Sequence, residues 1–231
     1  MARIFAVLAV LAWLLLAANF VVGLWGGDFN ARARDMRAAG ARMQEAQRAM
    51  ELARQSTSPD FENARNQVRD ADAMFQPLRF WMTVHMLLGS AASLLAILVS
   101  SITVTYFIGT SRWCKEVCDT YNLAGELAEQ AARIKRSAFP WALIGIVTVI
   151  VIVGLGAAAD PSGANFERSQ SLVLPHYAAA TIGLLILAVC FWMQMVRIAE
   201  NHRTIEEIMA EVPPLRGVRI GIAGGAGEGS T

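Results

Sequence analysis

The chain has 231 residues, 55% of them hydrophobic and only 17% charged, with a mean hydropathy of +0.42. Soluble domains carry about 25% charged residues, so this composition excludes a disordered or fibrous chain and argues against a single soluble globule. Twenty Lys and Arg against 19 Asp and Glu leave a net charge of +1, with no basic excess to point to nucleic acid.

The apolar surplus is concentrated in four runs, residues 4–25, 80–108, 139–159 and 176–196, and none of them contains Asp, Glu, Lys or Arg. Each has about 20 residues or more, enough helix to cross a hydrocarbon core of about 30 Å. The expected fold is all-α: a four-pass transmembrane helical bundle with an extracytoplasmic antiparallel helical hairpin. Residues 1–25 form the first span, read as a retained signal anchor rather than a cleaved signal peptide because it is long and lacks a clear A-x-A site. Residues 26–79 form the hairpin, followed by the second span at 80–108.

Inside the hairpin region, Phe29, Met36, Met43 and Met50 recur every seven residues, with Ala39, Ala46 and Ala53 at the matching offset. After Ser56-Thr57-Ser58-Pro59, a second series places Phe61, Val68 and Phe75 on one seam position and Ala64, Ala71 and Leu78 on the other. Two short heptad series separated by a turn predict a coiled-coil-like pair of helices. Ser58 can cap the second, with Pro59 at its first position. The second seam runs on in register through Met82, His85, Gly89, Ala92, Ala96, Val99 and Thr103.

Residues 109–138 carry Arg112, Lys115, Arg133, Lys135 and Arg136, whereas 160–175 carry only Arg168. The first segment is therefore read as a cytoplasmic helical connector and the second as a short extracytoplasmic loop, with both termini inside. A helix beginning at Arg112 behind a Thr110 or Ser111 cap is expected in the connector. Residues 139–159 are the third span and 176–196 the fourth. In the fourth, His176, Ala180, Gly183, Leu187, Cys190, Gln194 and Arg197 form another stripe of largely small residues, which permits close helix contact in lipid. Beyond it, residues 197–231 begin as a cytoplasmic helix with Ile198, Ile205, Ile208 and Val212 on one side. Pro213-Pro214 ends it ahead of a flexible glycine-rich tail. The tail has a Ser where a phosphate loop needs Lys, so nucleotide binding is rejected.

Chemistry-bearing residues are few. His85 and His176 both fall on small-residue stripes toward the outer leaflet, where two imidazoles from different helices can ligate a b-type haem. Met82, His85 and Met86 on one helix face also suit Cu(I). Packing or headgroup contacts are the simpler use of these residues, so no cofactor is the first expectation. Asn19 reads as an interhelical hydrogen bond. Cys114 and Cys118 stand one turn apart, and Cys190 lies in the fourth run. With His202 the pair can reach a metal, but no four-ligand spacing is present. Membrane-embedded charges for a pump and the usual catalytic constellations are absent from the sequence. The reading is therefore a bacterial-type inner-membrane scaffold, assembly or signalling-adaptor subunit, not an enzyme. Its partners are the lipid bilayer and a protein or a second copy of itself. Packing or interaction falls on Met36, Met43, Met50, Phe61, Val68, Phe75, Gly89 and Gly183. A haem- or metal-binding redox protein using His85 and His176 is the alternative.

Overall fold

The computed structural model describes residues 2–25, 27–53, 58–161 and 166–212. Five α-helices account for nearly all of them, and no strand occurs among the described residues: α1 Ala2–Trp25, α2 Phe29–Leu52, α3 Pro59–Tyr121, α4 Gly125–Ala159 and α5 Phe166–Glu211. All but α2 are long and apolar enough to cross a membrane. The Pro213-Pro214 stop, the tail and Ser56-Thr57 lie outside the described residues.

Helix α2 and the start of α3 pair antiparallel. Phe29 packs on Phe75 at 5.1 Å between ring centres, Arg32 reaches the Met74 sulfur, and Arg42 donates to Gln67. Ala39 and Ala64 are buried between the two helices, Met36, Met43, Met50, Phe61, Val68 and Phe75 are half-buried, and most positions between them are exposed. Asp28 starts α2 as its N-cap, accepting from the Ala31 amide at 3.1 Å.

Two sequence expectations meet a different outcome. Helix α5 begins at Phe166, ten residues before the fourth apolar run, and passes through Pro175. A proline inside a helix removes one backbone hydrogen bond without ending it where the surroundings hold the turn. Here Ser169 and Gln170 contact Asn30 and Arg34 of α2. Likewise no new helix starts at Arg112, because α3 runs unbroken to Tyr121. The Thr110 hydroxyl donates back to the Tyr106 carbonyl at 2.9 Å and so forms no cap. The turn comes later: Asn122 is left-handed (φ 51°), and the Leu123 amide donates to the Cys118 carbonyl, the closing bond of a Schellman motif.

The chain divides into two compact units. The histidine unit comprises Leu11–Leu95 and Thr148–Leu185, and the cysteine unit comprises Met1–Val10, Ala96–Val147 and Ile186–Thr231. Helices α1, α3, α4 and α5 contribute to both.

Candidate functional site: the paired histidines

In the histidine unit, α3 carries His85 and α5 carries His176, and their rings stand 6.4 Å apart between centres, inclined at 78°. His85 Nδ1 lies 3.1 Å from the Asn19 carbonyl of α1. A carbonyl only accepts, so the proton is on Nδ1 and the lone pair of the neutral ring is on Nε2. The side chain at residue 23, four after Asn19, is missing for a reason: a Cβ on Gly23 would come within 2.9 Å of the His85 ring. The same device recurs on α4. The Ile152 carbonyl stands beside the His176 ring, outside strict hydrogen-bond geometry, and a Cβ on Gly156, four residues later, would come within 2.9 Å of that ring. In a helix the carbonyl of residue i faces the residue at i+4. A glycine there uncovers the carbonyl and lets an imidazole lie against the backbone.

Gly89, one turn beyond His85, leaves space for the Asn19 side chain, whose Nδ2 would be 2.8 Å from an added Cβ. Gly183 brings α5 close to α4, with Ile152 and Thr148 against it. Phe20 packs on Tyr177 at 5.6 Å, and the Trp13 indole donates to the Leu184 carbonyl at 3.1 Å. Two polar atoms of this group, Asn19 Oδ1 and His176 Nδ1, are buried without a hydrogen-bond partner among the described residues. Of the methionines beside His85, Met82 is half-buried and Met86 is 51% exposed on the outer surface of the helix. Within this unit the hairpin is tied to α4 by Asn30, which is buried and donates to the Ala159 carbonyl at 3.0 Å, satisfying the C-terminal end of α4.

The cysteine unit is organised differently. Cys114 and Cys118 are buried with Ala131 and Ile208, flanked by Trp113, Val117, Leu127 and Ile205. Burial, reinforced by the neighbouring Cys118 thiol, pushes the Cys114 thiol up to about 11, and burial beside Asp119 raises Cys118 as well. Both are protonated at neutral pH and chemically quiet. His202 is exposed and pairs with Glu206 at 3.4 Å. Among the described residues no three His, Cys, Asp or Glu side chains converge on a metal site.

The sequence reading did not single out Asn201 or Thr204. Asn201 donates to the Tyr106 hydroxyl at 3.1 Å and the Thr110 hydroxyl at 3.0 Å, and Gln130 donates to the Thr204 hydroxyl at 3.1 Å. Gln194, present in the α5 stripe, accepts from the Thr103 hydroxyl at 2.7 Å. The missed signal was the spacing: 190, 194, 197, 201, 204 and 208 form one unbroken seam with amides at its centre.

The fold defines an all-α protein with four helices able to span a membrane and a polar helical hairpin between the first two. Compared with protein-family models, curated proteins and solved structures, the chain matches none.

Proposed function

We propose that the protein is a scaffold or signalling-adaptor subunit of the plasma membrane that engages a protein partner, or a second copy of itself, through the hairpin. In this reading the hairpin is extracytoplasmic and both termini are cytoplasmic, the orientation favoured by five basic residues in 109–138 against one in 160–175. The observation that carries it is the continuity of α3. Its 63 residues supply about 95 Å of helix, against a hydrocarbon core of about 30 Å. One helix thus forms an arm of the hairpin, a span, and a wall of the Cys114 cluster. A partner that shifts the hairpin acts on a helix whose other end is packed and whose Thr103, Tyr106 and Thr110 hydroxyls are paired to α5. Polar groups inside a helical seam favour discrete registers over sliding.

The test is co-purification from membranes with the wild-type chain, Met43→Asp and Val68→Asp. Loss of a partner in both variants, with the spans still inserted, is expected; variants that keep every partner overturn the reading. Orientation is checked with Gln44→Cys and a membrane-impermeant maleimide. Labelling in intact cells is expected, and labelling only after permeabilisation contradicts it.

A further inference from the structure

We propose that His85 and His176 are the two axial ligands of a single b-type haem held in the histidine unit. This goes beyond the adaptor reading and does not depend on it. Three independent features of the site support it.

The first is separation. Two imidazoles on opposite faces of one iron, each bonded at about 2 Å, have ring centres about 6 Å apart; here they are 6.4 Å apart. Packed aromatic rings also occur at that spacing, so the second feature decides. The Nδ1–H of His85 is spent on the Asn19 carbonyl, and its Nε2 lone pair is left for a metal. That is the arrangement by which a backbone acceptor orients a ligating imidazole and raises its basicity. His176 stands beside the Ile152 carbonyl in the corresponding place on α4, with Gly156 repeating the role of Gly23. Rings brought together only for packing have no need of two uncovered carbonyls.

The third feature is the donor count. Bare zinc needs about four protein ligands, and no third His, Cys, Asp or Glu converges here among the described residues. Haem brings four equatorial nitrogens of its own and asks the protein for only two. Ala180, one turn beyond His176, is small, and at the matching place on α3 Gly89 admits the Asn19 side chain.

The experiment uses the full-length chain purified in mild detergent, titrated with haemin, and read by absorption before and after dithionite. The expected result is one haem per chain with the spectrum of a six-coordinate low-spin b haem that sharpens on reduction. His85→Ala and His176→Ala should each abolish that spectrum, whereas His202→Ala should leave it unchanged. Circular dichroism and gel filtration establish that each variant is folded, and Gly156→Leu serves as a second perturbation that leaves both histidines in place. It should lower haem occupancy severalfold. Failure of folded wild-type protein to take up haemin, retention of the low-spin spectrum in either histidine variant, or stoichiometric copper in place of haem overturns the proposal. Partner co-purification in the same variants is a separate readout, so loss of haem with partners retained leaves the adaptor reading standing.

Discussion

The two units seat their central polar groups on different surfaces, side-chain hydroxyls in one and bare helix backbone in the other. In the cysteine unit side-chain amides pair with hydroxyls on neighbouring helices, Gln194 with Thr103, Asn201 with Tyr106 and Thr110, and Gln130 of α4 with Thr204 of α5, although Ser100 Oγ, Arg197 Nε and Asn201 Oδ1 are buried without a partner among the described residues. In the histidine unit the two imidazoles and Asn19 lie against glycines; His85 meets a backbone carbonyl, and Asn19 Oδ1 and His176 Nδ1 are buried without a partner among the described residues. Side-chain pairs between helices fix which helix meets which, and in what register. The buried thiols are packing groups, enclosed with Ala131 and Ile208, and that burial raises their titration.

The difference can be broken from either side. The largest expected effect comes from glycine in the histidine unit: Gly183→Leu would set a side chain into Ile152 and Thr148 and should cost about 3 kcal/mol in detergent unfolding. An unchanged unfolding midpoint would mean α4 and α5 are not packed as described. In the cysteine unit, Asn201→Leu leaves the Tyr106 and Thr110 hydroxyls without their amide and should cost about 1–2 kcal/mol. Smaller still, a double-mutant cycle of Thr103→Val with Gln194→Leu should give a coupling of about 0.6 kcal/mol, the usual size for such pairs in membranes. Coupling near zero removes the register role assigned to that pair.

The thiols give the pH dependence. A raised folded-state pKa means the folded chain favours the protonated thiol. Its contribution to stability is therefore present below the ordinary thiol pKa near 9 and is lost as pH rises towards about 11. Maleimide labelling of Cys114 should be slow at pH 7, rise with pH, and become rapid when the chain is unfolded. Rapid labelling of the folded protein at pH 7 would show that the cluster is open.

Much of the architecture was legible because it is written as repetition or length. Four uncharged runs announce spans, and a seven-residue period places Ala39 and Ala64 on the hairpin seam. Helix ends were less legible. Pro175 and the charges around Arg168 read as a loop, although α5 already passes through both, and the anchoring contacts from Asn30 and Arg34 have no local sequence signal. The same holds for the site. Shared small-residue stripes bring His85 and His176 to mind together, but Gly23 and Gly156 are single residues in apolar runs with no period of their own. The role of the Asn19 carbonyl is invisible in sequence because every residue has one. Asn201 and Thr204 lie among Ile198, Ile205 and Ile208, whose apolar spacing is the stronger signal on that strip.

The inclination of the two rings allows a direct test. Near-perpendicular imidazoles on one ferric iron give a strongly anisotropic low-spin electron paramagnetic resonance signal, whereas near-parallel ones give an ordinary rhombic low-spin signal. With the rings at 78°, the oxidised haemin-loaded wild-type protein should give the strongly anisotropic form. A high-spin signal, or a rhombic low-spin one, would contradict the histidine pair as it stands in this fold.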